Sequence, residues 1–241
     1  MKLTKLPRFA RSLMSPMSPK ILAIETTTEA CSAALLSRGA VRARYQVAPR
    51  QHTHLILPML ESLLAEASLK PSDLDAIAFC RGPGSFTGCR IGASVVQAIA
   101  FAQDIPVVLV SSLHCLAQGA YQDFHAERVL VAIDAHMNEV YWGSYQVGEE
   151  GILSECDTEQ LSDPSRLLSV HLTHFVGLGS GWDKYHEMIA ARFKKDQLQQ
   201  YHAQRYPRAT DVVVLARHAY QRGQLVTAEE ALPNYLREKI T

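Results

Sequence analysis

Apolar residues in this chain come in short runs closed by carboxylates or turn residues, and that rhythm sets the expected elements. Ile21 to Glu25 is an apolar run ending on a carboxylate, followed by a Thr-rich turn. Cys31 to Leu36 and Val41 to Val47 continue as strands around Ser37-Arg38-Gly39, giving a three-stranded meander. Thr53 to Ala67 carries Leu57, Leu60, Leu64 and Ala67 at helical spacing, with Pro58 expected to limit the first turn. Leu74 to Cys80 reads as a buried strand, Ser85 to Phe101 as a helix and Val107 to Val110 as another strand.

The second half echoes the first. Val129 to Ile133 is an apolar strand ending at Asp134, the turn Ala135-His136-Met137-Asn138 follows, and Glu139 to Val147 returns as a strand. The two strand–carboxylate–turn–strand units lie 109 residues apart, Glu25 to Asp134. Phe175 to Gly181 reads as a strand running into a second glycine-rich turn, with helices around Trp182 to Phe193 and Asp211 to Arg222. The expected fold class is therefore α/β and duplicated, with Glu25 and Asp134 near the mouth of a cleft between two halves. The expected division is a disordered extension over 1–18, a first domain over 19–112 and a second over 113–241.

Charge changes this picture little. Lys+Arg and Asp+Glu balance at 24 each, but Lys2, Lys5, Arg8, Arg11 and Lys20 sit in a segment with no acid. Without those five, 19 basic residues face 24 acidic ones, so the body is mildly acidic and not expected to bind nucleic acid tightly by itself. The five cysteines form no Cys-x-x-Cys pair and read as reduced, cytoplasmic thiols. No apolar run reaches transmembrane length, and the first nineteen residues lack the apolar core of a signal peptide. Met17 opens a natural start for the first strand, which makes the upstream residues an optional extension.

The chemically suggestive stretch is Arg81-Gly82-Pro83-Gly84-Ser85-Phe86-Thr87-Gly88-Cys89-Arg90-Ile91-Gly92, which runs into the alanine-rich segment Ala93 to Ala102. A tight turn feeding a helix N-terminus can hold an anion or receive another protein. It meets no known glycine code. A dinucleotide fingerprint needs glycine at Thr87, a P-loop needs Gly-Lys-Ser/Thr, and a nucleophile elbow needs glycines two residues either side of the serine. Its bland reading is a strand-to-helix turn with Ser85 as N-cap and Gly88 and Gly92 allowing close helix packing.

Taken together, Ile21 to Ser32, His52-Thr53, Leu57-Pro58-Met59, Arg81 to Gly92, Ser111-Ser112-Leu113, Ile133-Asp134-Ala135, Glu139 to Trp142, Gly179 to Trp182 and Tyr235-Leu236-Arg237 closely resemble the bacterial TsaB (YeaZ) family. The resemblance implies the duplicated actin, sugar-kinase and Hsp70-type (ribonuclease H-like) fold in two lobes. It also implies a required, non-catalytic subunit that pairs with TsaD, which moves threonylcarbamoyl onto adenine 37 of tRNAs reading codons that begin with A. TsaE joins that complex, tRNA is met only through it, and a homodimer is conceivable in the absence of TsaD. No membrane contact is implied.

No catalytic or metal-binding residue is expected. None of the ten histidines has another four positions later, and His52 with His54, or His171 with His174, has no third ligand at a recognisable spacing. At the first hairpin, Glu25-Thr26-Thr27-Thr28 lacks the glycine that lets a phosphate approach in actin-like ATPases. Against the family pattern, Glu25 stands where Asp is usual and His136 where Arg is usual, which weakens any anion contact there. The resemblance places the TsaD contact on the first domain, where Leu57, Leu60, Leu64, Ala93, Ala98 and Phe101 are the candidate partner-binding residues. Gly84, Ser85, Thr87 and Gly88 are candidates for an anion or nucleotide contact within the complex. No cofactor is expected of the chain itself, with ATP bound only alongside TsaD and TsaE. The alternative is a stand-alone ATPase or peptidase of the same superfamily.

Overall fold

A computed structural model of the chain describes residues 18–167 and 172–237. The extension expected over 1–18 lies, up to residue 17, outside the described residues, as does His171. The described part divides into two α/β units.

In the first unit, β1 (Ile21–Glu25), β2 (Ala30–Ser37), β3 (Ala40–Val47), β4 (Ala76–Cys80) and β5 (Val107–Val110) form one sheet in the order β3-β2-β1-β4-β5. β1 and β4 are buried throughout and pair in parallel, which is why both read as unbroken apolar runs. β3 is an edge strand, and its alternation of arginines with Val41, Ala43, Tyr45 and Val47 marks its exposure. Helices α1 (His52–Glu66) and α2 (Phe86–Gln103) pack with the sheet around Leu22, Ile24, Leu63, Ile77, Phe79 and Val96. Pro58 does not limit α1: it sits inside the helix at an exposed position, where the N–H it lacks is lost on the solvent side.

The second unit repeats the plan strand for strand. β6 (Arg128–His136), β7 (Glu139–Val147), β8 (Leu153–Ser162), β9 (Phe175–Leu178) and β10 (Leu198–His202) take the order β10-β9-β6-β7-β8. As in the first sheet, the first three are antiparallel neighbours and the last two join in parallel. This is the duplicated ribonuclease H-like topology the sequence led us to expect. Helix α3 (Ser112–Phe124) covers one face through Leu113, Leu116 and Ala117, and α4 (Ser180–Ala190) covers the other through Trp182 and Ile189.

One boundary needs correction. The last helix, α5 (Ala209–Gln221), is expected in the second domain with everything after residue 112, yet residues 208–233 belong to the first unit. α5 packs on β1, β2, β4 and β5, its Ala209 N–H donates to Ser32 Oγ (2.9 Å), and Val226 pairs with Val107. Its apolar stripe declared a buried face but not which sheet would bury it. Residues 82–85 of the glycine-rich turn count instead with the second unit, where the Ser112 N–H donates to Gly82 O at 3.1 Å.

Candidate functional site

The β1–β2 hairpin ends β1 on Glu25, and the fold buries that carboxylate completely. Its Oε1 accepts from the Thr27 backbone N–H at 2.7 Å and from the Thr27 hydroxyl, whereas Oε2, also buried, meets no partner among the described residues. Burial raises this carboxyl from its ordinary 4.5 to about 7, against the hydrogen bonds from Thr27 that lower it. The nearby thiols of Cys31 and Cys89 are pushed up to about 12, by burial first and the Glu25 charge second, so both are inert at neutral pH. Thr26 turns the other way and donates to Gly88 O at 2.8 Å, tying the hairpin to the first turn of α2. Gly92, one turn on, is where this packing needs glycine: a Cβ there would stand 2.8 Å from Thr26 Oγ1. The hairpin is thus closed by its own threonines.

The matching hairpin of the second unit holds a different set. The Asp134 N–H donates to Ser180 Oγ (3.0 Å), and its carboxylate accepts from the His136 N–H (3.0 Å) and from Lys184 Nζ (3.3 Å). His136, Met137 and Asn138 all take the left-handed conformation at the tip. Arg237 braces them, donating to Ala135 O (2.9 Å) and pairing with Glu139 Oε2 (3.0 Å). The side chain of His136 is exposed beside Asp134, 3.7 Å away.

On the surface of the first unit, α2 shows an unusual face. Only one of its eighteen residues is charged, Arg90. Phe86, Arg90, Ser94, Ala98 and Phe101 recur at three- and four-residue spacing, and all are exposed. Phe86 is 56% exposed under the Arg90 guanidinium, 3.8 Å from its ring centroid, and Phe101 is 76% exposed. Leu57, also exposed, lies on the neighbouring α1.

The family model of TsaD, tRNA N6-adenosine threonylcarbamoyltransferase, matches residues 44–241. The chain is 39% identical over 229 residues to the tRNA threonylcarbamoyladenosine biosynthesis protein TsaB of Escherichia coli (strain K12), covering 92% of this chain and 96% of that one. It is 30% identical over 222 residues to TsaB of Bacillus subtilis (strain 168), covering 90% and 93%. The solved structure of YeaZ from Pseudomonas aeruginosa superposes with a TM-score of 0.85 at 45% identity, covering 90% of this chain and all of that one. The chain belongs to the TsaB family.

For this TsaB-family chain the candidate residues sort by burial. Leu60, Leu64 and Ala93 are corrected out of any partner surface, because all three lie in the core of the first unit. Leu57, Ala98 and Phe101 remain exposed, and Phe86, Arg90 and Ser94 join them. Helical spacing places those three in one row with Ala98 and Phe101, but spacing alone does not say that the row faces outward. Of the anion candidates, Gly84 and Ser85 belong to the second unit and Thr87 and Gly88 to the first; Ser85 and Thr87 are exposed, and Gly88 is buried with its carbonyl engaged by Thr26. His52 is buried with Nε2 3.1 Å from Ala30 O, and among the described residues no three His, Cys, Asp or Glu gather in a set that could hold a metal. Nothing in the sequence ties Lys184 to Asp134 or Arg237 to Ala135, since no local pattern links residues 50 and 102 positions apart.

Proposed function

We propose that this chain is an accessory, non-catalytic subunit of the machinery that makes N6-threonylcarbamoyladenosine in tRNA, and that it docks a TsaD subunit through the outward face of α1 and α2. The observation that carries the reading is the charge-poor row on α2, Phe86, Arg90, Ser94, Ala98 and Phe101, exposed and flanked by Leu57. Exposed aromatic rings around small residues let a partner helix approach closely and bury a central apolar core. The threonine-closed hairpin at Glu25 agrees with a subunit that does no phosphate chemistry of its own. The same charge-poor row also serves a second copy of the chain when TsaD is absent, and TsaE joins the assembled pair.

The test is co-elution with TsaD on size exclusion after Ala98→Glu. Position 98 is exposed, so the variant keeps its fold, while an unpaired carboxylate buried on docking costs several kcal/mol. Loss of co-elution by a variant that melts like the parent is the expected result. A folded Ala98→Glu chain that co-elutes undiminished overturns the placement.

A further inference from the structure

We propose that the β10 edge of the second unit is an RNA-contact surface that grips phosphates with Arg192, Lys194 and Lys195 and stacks a base on the braced Tyr201. The inference rests on the proposed place of the chain in a tRNA-modifying assembly and adds a surface to it.

Charge is segregated across the second sheet. Residues 149–163, around β8, carry six acidic side chains and no Lys or Arg. Residues 192–205, around β10, carry Arg192, Lys194, Lys195 and Arg205 against Asp196, with Arg205 paired to Asp123, so that Arg192, Lys194 and Lys195 set the field there. β8 and β10 are the two edges of one five-stranded sheet, so these opposite fields stand roughly 19 Å apart at about 4.8 Å per strand. A polyanion meeting this unit is drawn to the β10 edge and repelled from the β8 edge. Arg192, Lys194 and Lys195 are all exposed.

Rings interleave with these cations. Tyr201, 43% exposed on β10, stacks at 5.8 Å on the buried Trp182, and His186 stacks on Tyr201 at 5.6 Å. Trp182 cannot yield: its indole donates to Leu130 O at 3.0 Å and fills the space that the missing side chain of Gly177 leaves. The next residue, His202, faces the other side of the strand, where it lies flat on Phe124 with centroids 4.2 Å apart, and Arg205 covers the same ring while pairing with Asp123, so that side takes no part in the proposed contact. Tyr201, held this way and still 43% exposed, loses little freedom when a base stacks on it, and base stacking is tolerant of sequence. An acidic peptide would find the charges but have no use for the half-exposed rings, so RNA fits both features.

The probe is a fluorescently labelled, unmodified, full-length tRNA transcript. Its affinity is read by anisotropy against salt, for the chain alone at low salt and for the chain with TsaD at physiological salt. Replacing both Lys194 and Lys195 by Glu is expected to weaken binding at least about tenfold and to flatten the log–log salt slope by about two. Tyr201→Ala is expected to weaken it about fivefold or more with the slope unchanged. Co-elution with TsaD should be unaltered in both variants, so a failure of the chain to pair with TsaD counts against the reading above while the chain alone still decides this one. Folded variants with the parent's affinity and slope overturn the proposal, as does displacement of the probe by poly-glutamate as readily as by unlabelled tRNA.

Discussion

Replacing Glu25 by Gln should remove the contribution that this carboxyl makes to the pH dependence of stability between mildly acidic and neutral conditions. The folded state holds the carboxyl proton up to about 7, whereas the unfolded chain releases it near the ordinary 4.5. Below 4.5 both states carry the proton and Glu25 imposes no penalty. Between 4.5 and 7 only the unfolded state ionises, so stability falls as pH rises, and above 7 the loss is complete. The gap between the two values corresponds to about 3 kcal/mol at about 1.4 kcal/mol per unit. Glutamine keeps an oxygen for the Thr27 N–H but places an amide where Oε2 has no partner, which costs about 1–3 kcal/mol at every pH. The parent should therefore be the more stable at pH 5, and the difference should shrink or reverse by pH 8. Urea unfolding midpoints of both proteins at pH 5, 6, 7 and 8 provide the assay. Parallel curves, with the same difference at each pH, would refute the argument and mean that Glu25 is ionised throughout.

Four further substitutions probe the packing and the proposed docking face. Gly92→Ala forces a Cβ against Thr26 Oγ1 and strains the Thr26–Gly88 hydrogen bond; thermal melts should show a loss of about 1–3 kcal/mol. Leu60→Ala should cost about 2–5 kcal/mol because Leu60 is a core residue, while Leu57→Ala should stay within about 0.5 kcal/mol in the same chemical-unfolding assay yet weaken TsaD binding in a pull-down. Gly177→Ala would put a Cβ 2.5 Å from the buried Trp182 ring, so we expect a loss above about 3 kcal/mol and a red-shifted tryptophan emission.

The elements that the sequence revealed are those whose burial is uniform. β1, β4, β5 and β6 are apolar runs with both faces covered, and runs of that kind need no tertiary information to be read. Helix α3 escaped because Ser112 and Gln118 are fully buried beside Leu113 and Leu116, which breaks the alternation a surface helix shows; its N-cap Ser111, accepting from the Leu113 N–H at 3.1 Å, was the available signal. β8 escaped for the opposite reason: as an edge strand rich in Glu and Asp it buries only Leu153. Glu25 stood out in the sequence as a carboxylate closing a strand, but its proton affinity comes from β2, α2 and the hairpin closing over it. The proposed docking face was half legible, since helical spacing finds a stripe without telling whether it points in or out, and Leu60 and Leu64 point in.

The central claim is that the outward face of α1 and α2 receives TsaD, and hydrogen exchange of the chain with and without TsaD tests it most directly. The account expects new protection in peptides from 52–66 and 86–103, with β3 and β8 unchanged. Protection concentrated elsewhere, with none gained on α2, would contradict it.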